Sequence, residues 1–456
     1  MKFLWGAATS SHQVEGNNKL NDWWAWEQKG KIEGGVRSGR ATDHWNLFKE
    51  DLKLAKEIGL NSYRFSIEWS RIEPEEGSWS NEAIEWYGEL LGECERNSLI
   101  PLVTLHHFTS PLWFAEEGGF SSPQASQKFL PFVRKVVRTL GNRIPLWCTF
   151  NEPIIFCVGQ YLAGFQPPAI YSPEKCSLAF RSILKSHVKA YDLIHSENKT
   201  RKGPWRHQKL LVGYAHNMMD FMPSRDWHPL DRLLTLIARE FYNFSWLDAT
   251  TGRKQRFGIT GLVPFSRPVS SAGGRTTTDF IGINYYSKAI LRWRPKSETY
   301  ETASGLPFGI SFSSNQEPIS EMGWGFHPSG LGRMLRSINQ YGLPIFITEN
   351  GIADGQDTYR SSFLLNHLKE VAKEIDNGAD IRGYFHWSLL DNFEWIKGFR
   401  PRFGLIEVDY QTFNRTIRPS AIFYKELIES HHEGHLAPSS AILKNYDSKL
   451  LKIQQK

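Results

Sequence analysis

Eight short, strongly apolar runs are spaced along this chain, most of them followed by a longer stretch with helical periodicity, and that alternation leaves few folds open. The runs are Phe3–Thr9, Ser62–Trp69, Ile100–Phe108, Leu146–Pro153, Leu210–Asn217, Asp279–Tyr286, Pro344–Gly351 and Ile381–Leu389. Amphipathic stretches lie between them at Asp43–Ile58, Asn81–Arg96, Ser122–Leu140, Leu178–Ser196, Leu230–Trp246, Pro328–Tyr341 and Tyr359–Asp376. Strands and helices in alternation argue for βαβ units and a parallel sheet covered on both faces. Eight such units close a (β/α)8 TIM barrel, a fold of the α/β class that tolerates loop insertions up to the 456 residues found here. No internal repeat, low-complexity tract or interdomain linker interrupts the pattern. The expected organisation is one barrel over residues 1–430 and a polar, Lys-bearing tail over 431–456, with Thr200–Lys209 and Ser297–Pro318 as long insertions.

Two of the runs end in the same way. Pro344-Ile-Phe-Ile-Thr-Glu-Asn-Gly351 and Leu146-Trp-Cys-Thr-Phe-Asn-Glu-Pro153 each pass abruptly from apolar residues to a carboxylate beside an amide, so Glu349 and Glu152 stand at the C-terminal ends of strands. In barrels those ends face the catalytic crevice. Two carboxylates brought to one mouth are what glycoside hydrolysis requires, one to protonate the leaving oxygen and one to meet the anomeric carbon. Arg64, inside the second apolar run, must find a buried anion, and Glu68 or another acid could be that partner. His106 and His107 are adjacent on a strand, so they point to opposite faces, a poor arrangement for chelating one metal. Strand alternation also places Asn284 and Tyr286 on the same side.

Composition narrows the function classes. Lys and Arg are scattered despite a net charge of +6, which argues against nucleic acid. The N-terminus has no hydrophobic signal core, and no run approaches a membrane span. Cys94, Cys148, Cys157 and Cys176 show no paired close spacing, as expected of reduced thiols in a cytoplasmic enzyme. The 17 Trp residues suit a cleft that is part apolar and part polar, although core packing between barrel and helices accounts for most of them.

Thr149-Phe-Asn-Glu-Pro153 and Ile347-Thr-Glu-Asn-Gly351 resemble the acid/base and nucleophile signatures of glycoside hydrolase family 1, the retaining β-glucosidase and β-galactosidase family. The similarity runs from about Phe3 to about Ile428 and includes Phe3-Leu-Trp-Gly-Ala-Ala-Thr9 and Tyr63-Arg-Phe-Ser-Ile67. The resemblance supports the weak fifth strand and implies Glu152 as acid/base and Glu349 as nucleophile. It implies that Arg64, Asn284 and Tyr286 attend the reaction, with Arg64 holding Glu349 ionised. Gln13, His107, Asn151, Trp387, Glu394, Trp395 and Phe403 become substrate-binding positions, with Trp324 the platform for the leaving group. Phe108-Thr-Ser-Pro111 departs from the commoner His-Trp-Asp-Leu-Pro version. A cis peptide is implied between Trp387 and Ser388.

Members acting on 6-phosphorylated sugars carry a Ser, then a Lys and a Tyr, where this chain has Glu394, Pro401 and Phe403. The expected activity is therefore that of a retaining exo-β-glycosidase releasing terminal β-linked glucose, and also galactose or fucose, from small non-phosphorylated glycosides without metal or cofactor. Alternatives are a transglycosylase using the same intermediate, a 6-phospho-β-glycosidase, and a sugar-binding pseudoenzyme. His431-His-Glu-Gly-His435 follows the last helix, away from the expected mouth, and reads as a solvated helix end.

Overall fold

The computed structural model describes residues 2–198, 200–253, 274–294, 308–314, 317–431, 438–444 and 446–447. Eight parallel strands close into a barrel: β1 Leu4–Ala8, β2 Ser62–Ser66, β3 Ile100–His106, β4 Leu146–Asn151, β5 Leu211–Asn217, β6 Ile281–Asn284, β7 Ile345–Asn350 and β8 Ile381–Trp387. Each strand pairs with its neighbours in sequence, and β1 closes on β8 through Leu4 opposite Gly383 and Ala8 opposite Trp387. Helices α1 His44–Glu57, α2 Asn81–Arg96, α3 Ala125–Leu140, α4 Pro173–Glu197, α5 Pro229–Arg239, α6 Pro328–Asn339, α7 Arg360–Asp376 and α8 Pro419–Glu429 lie between or after them. The expected (β/α)8 architecture is present, and the last of these helices completes a set of which the sequence patterns showed seven.

The alternation of side chains sorts the barrel into two layers. Tyr63 and Phe65 of β2 point outward into the main core beneath the helices, while Arg64 between them points into the barrel. Leu4, Leu102, Leu146, Leu211, Phe346 and Phe385 pack inside the barrel as a separate apolar cluster. Above that plug the inward residues turn polar, with Arg64, Asn151, Asn284 and Glu349 all buried. The plug denies these groups water from below, so they must satisfy one another.

Two register irregularities fall beside the carboxylate ends. The pairing of β4 with β5 shifts between Cys148 and Asn151, and that of β6 with β7 shifts between Ile347 and Glu349. Such shifts re-aim a side chain at a sheet's rim. Glu152 itself has φ 46° and ψ 60°, a left-handed conformation uncommon for a non-glycine residue. Gly351 is required after Glu349 and Asn350 because a Cβ there would overlap the carbonyl oxygen of Trp387. The Trp387–Ser388 peptide is cis, as the resemblance implied.

Beyond the barrel, Asp220–Pro223, Lys288–Trp293 and Phe308–Ser311 form a small three-stranded sheet over one side of the mouth. Part of the segment read as a 297–318 insertion therefore pairs antiparallel with Lys288–Trp293, and the rest lies outside the described residues. The 200–209 stretch, read as the other insertion, carries no regular element among its described residues. A short helix at Ser440–Lys444 buries Leu443 against the core, so the tail is not wholly detached. His432 to His435 lie outside the described residues. The four cysteines are buried and unpaired.

Candidate active site

A cavity of about 320 Å³ opens at the C-terminal ends of the strands and is lined by Glu152 of the β4 end and Glu349 of β7. Both carboxylates are buried, at 7% and 3% exposure, so their partners decide their charge. Those partners differ. Glu349 Oε1 accepts from Arg64 Nη1 at 2.5 Å and its Oε2 from the Tyr286 hydroxyl at 2.5 Å. Glu152 Oε1 accepts from two amides, Asn217 Nδ2 and Asn284 Nδ2, each at 2.9 Å.

The Arg64 guanidinium is wholly committed to this centre. Besides Glu349 it donates to the Thr348 carbonyl at 3.1 Å, to Asn151 Oδ1 at 2.7 Å and to Thr104 Oγ1 at 3.3 Å. Glu68, the other candidate for its anion, is instead satisfied by the hydroxyls of Ser11, Ser70 and Thr109. Asn151 joins the carboxylate pair to the sugar side of the mouth, since its amide contacts His107 Nε2 at 3.1 Å. His107 lines the cavity, whereas His106 faces outward among Phe120, Phe150 and Phe156 with burial holding its ring down to about 3.

Burial acts on both carboxyls in the same direction, and the local partners separate them. Desolvation, followed by the charge of Glu349, pushes Glu152 up to about 7, and the two amides only partly oppose it. For Glu349, desolvation also outweighs the rest, so the carboxyl lies above its ordinary value although Arg64, Tyr286 and Asn284 all pull it down. The expectation that Arg64 would depress this group is corrected in its net direction. The cation offsets part of a burial cost that the sequence could not show.

The loop after β8 supplies the remaining groups. Asp391 fastens it, accepting from both Arg418 Nη atoms at 2.8 and 2.9 Å and from the Gly404 amide at 2.9 Å. Trp387, Glu394, Trp395 and Phe403 line the cavity, and Trp324 packs 5.3 Å from the Tyr286 ring. Gln13 is fully buried beneath this loop, outside the cavity lining. Its Nε2 donates to Asn392 Oδ1 at 2.9 Å, to the Phe393 carbonyl at 3.0 Å and to Glu394 Oε2 at 3.3 Å, while its Oε1 accepts from Ser10. Burial, then the charge of Glu349, pushes Glu394 up to about 8.

Several groups here escaped the sequence reading. Asn217 closes β5, the weakest of the eight strand signals, and its position as the last residue of a strand was the one available clue. Ile155, on the short helix Pro153–Val158 that follows the β4 motif, and Phe165, Met218, Met219, Phe312 and Met322 from loops form an apolar outer wall that the sequence reading did not mark. Lys288 and Lys397 also line the cavity, each neutralised by an acid, Glu317 and Glu33 respectively.

A closed parallel barrel with paired carboxylates, amides and aromatic faces at its C-terminal mouth defines a glycoside hydrolase. The profile of glycosyl hydrolase family 1 matches residues 1–433, and the chain belongs to that family. It is similar to the solved β-glycosidase from Pyrococcus horikoshii, with 39% identity and a TM-score of 0.83 over 97% of this chain and 96% of that one. β-Glucosidase A from Acetivibrio thermocellus is 30% identical across 94% of this chain and 98% of its own length. A 6-phospho-β-galactosidase from Clostridium acetobutylicum is 29% identical across 93% of this chain and 96% of its own. The chain is a family 1 β-glycosidase with no described helix long and apolar enough to cross a membrane.

Proposed function

We propose that this enzyme is a retaining exo-β-glycosidase acting on small, non-phosphorylated glycosides of glucose and of related sugars such as galactose and fucose. The observation that carries the reading is the unequal treatment of two buried carboxyls: Glu349 is paired with a guanidinium and a phenol, and Glu152, among the described residues, with two neutral amides. Glu349, kept ionised by Arg64 and Tyr286, attacks the anomeric carbon as the aglycone oxygen takes the Glu152 proton. The C–O bond to the aglycone breaks as the ester to Glu349 forms. Glu152, now a carboxylate, then takes a proton from water, which displaces Glu349 and regenerates both groups. Trp387 and Trp395 offer apolar faces to the sugar ring, His107 and Glu394 polar contacts to its hydroxyls, and Trp324 bounds the leaving-group side.

The proposed exclusion of phosphate does not rest on charge repulsion by Glu394, because burial and the charge of Glu349 push its carboxyl up to about 8. A phosphate dianion entering this loop would lose water next to Glu394 and Phe403, and both lysines of the wall are already engaged by acids. A nitrophenyl β-glucoside, β-galactoside and β-fucoside panel with the matching 6-phosphoglycosides tests this. Turnover of the parent sugars at least about a hundredfold above their 6-phosphates is expected, and comparable rates would refute the substrate class. Trapping with a 2-deoxy-2-fluoro glycoside should label Glu349; a label on another residue would overturn the mechanism.

A further inference from the structure

Glu152 Oε1 is approached by two carboxamides, and a carboxamide can present either an oxygen or an NH2 group. What sets each amide's sense lies one layer behind it. The Tyr242 hydroxyl donates to Asn217 Oδ1 at 2.7 Å, and the Thr348 hydroxyl donates to Asn284 Oδ1 at 2.7 Å. With a hydroxyl proton occupying each amide oxygen, both NH2 groups must face forward, and both converge on the same carboxyl oxygen at 2.9 Å. Asn284 has a second constraint of the same sign, since Nδ2 also donates to Asn151 Oδ1 at 3.1 Å.

We propose that Tyr242 and Thr348 are positioning residues that latch Asn217 and Asn284 with their NH2 groups toward Glu152 Oε1, so that the transferable proton is confined to Oε2. The inference rests on the reading of Glu152 as acid/base. Two donors fill the lone pairs of Oε1, and a proton placed there would meet amide hydrogens. Oε2 accepts from none of the described residues and is the oxygen left for the leaving group. Tyr242 is buried where α5 continues into the π-helical turn Glu240–Phe244, packs edge-on to Phe221, and makes its one hydroxyl bond among the described residues to Asn217. Burial holds its phenol well above its ordinary value, so it remains a donor throughout the working pH range.

Tyr242→Phe removes one oxygen and nothing that could touch substrate. Released, Asn217 can turn its oxygen toward Glu152, where it disfavours the carboxylate and accepts from the acid. The basic limb of the kcat/KM profile, set by Glu152, should then move to higher pH. At the parent's optimum, kcat/KM should fall about tenfold on an alkyl β-glycoside and less than about twofold on a dinitrophenyl β-glycoside, whose departure needs little protonation. Thr348→Val should shift the limb in the same sense. In an Asn217→Ala background Tyr242→Phe should have no further effect, because its route to Glu152 is gone. A basic limb that stays in place, equal losses on both leaving groups, or an undiminished effect in the Asn217→Ala background would each overturn the inference. If Tyr242→Phe does not accumulate, Asn217→Ala alone must reproduce the limb shift and the leaving-group selectivity. Azide rescue of Glu152→Ala reports on the acid/base reading separately: failure there removes Glu152's role, whereas success with an unmoved limb in Tyr242→Phe removes only the latch.

Discussion

The ends of β4 and β7 are written alike, an apolar run closing on a carboxylate beside an asparagine, yet the fold gives them opposite surroundings. At the β7 end Glu349 accepts hydrogen bonds from Arg64 and Tyr286; at the β4 end Glu152 accepts, among the described residues, from the amides of Asn217 and Asn284. Burial raises both carboxyls, so it cannot by itself divide the labour between them. The division comes from withholding a cation from one and supplying it to the other. The same difference bears on stability: Glu349 and Arg64 need each other, while burial makes the charge of Glu152 a liability.

The comparison breaks most visibly on removal of each carboxylate. Glu349→Ala should lower turnover by about five orders of magnitude, since nothing else can form the covalent intermediate. Azide should partly restore it and yield the α-glycosyl azide; a β product would reverse the two assignments. Glu152→Ala should lose about a hundredfold to ten-thousandfold in kcat/KM on alkyl glycosides and far less on dinitrophenyl glycosides. Here azide should give the β-glycosyl azide, because the glycosyl-enzyme still forms.

Isosteric amides sharpen the contrast by reading stability instead of rate. Glu349→Gln leaves the buried Arg64 charge without its anion and should destabilise by about 3 kcal/mol at neutral pH, measured by denaturant unfolding. Because the folded-state value of Glu349 also lies above the ordinary glutamate value, the parent gains stability as it takes up that proton, so the deficit should widen in acid. Glu152→Gln should act the other way and more weakly. The folded-state value of Glu152 is raised to about 7, so the parent loses stability as pH rises through that value and Glu152 is forced to ionise while buried. The variant carries no such charge and should melt above the parent beyond pH 7, by roughly 2 kcal/mol at the alkaline end, with the two curves meeting below the ordinary glutamate range. A Glu152→Gln protein less stable than its parent at pH 8 would show that the two strand ends are not treated differently.

Much of this was legible along the chain. Apolar runs of strand length announced seven barrel strands and, with the family resemblance, the weaker fifth, and Arg64 in the second of them announced a buried anion, because a guanidinium among Tyr63, Phe65 and Ile67 has no other tolerable state. Glu349 as that anion was not decided by charge pattern, since Glu68 was nearer in sequence and equally acidic. It was decided by the barrel, which turns Arg64 inward and gives Glu68 three hydroxyl donors instead. The outer wall of Met and Phe residues was not legible, as it is assembled from loops with no shared spacing.

By itself the sequence determined the barrel and the two carboxylate-bearing strand ends, because strand periodicity and abrupt apolar-to-acid boundaries are local properties of a chain. The need for glycine at 351 appears only where the end of β7 approaches the Trp387 carbonyl of β8. Tertiary structure alone decided which groups each carboxylate meets, that Gln13 supports Glu394 from beneath, and that Tyr242 stands behind Asn217. Those contacts join residues from tens to hundreds of positions apart, and their energies depend on how much water the closed barrel excludes, a quantity that no stretch of sequence carries.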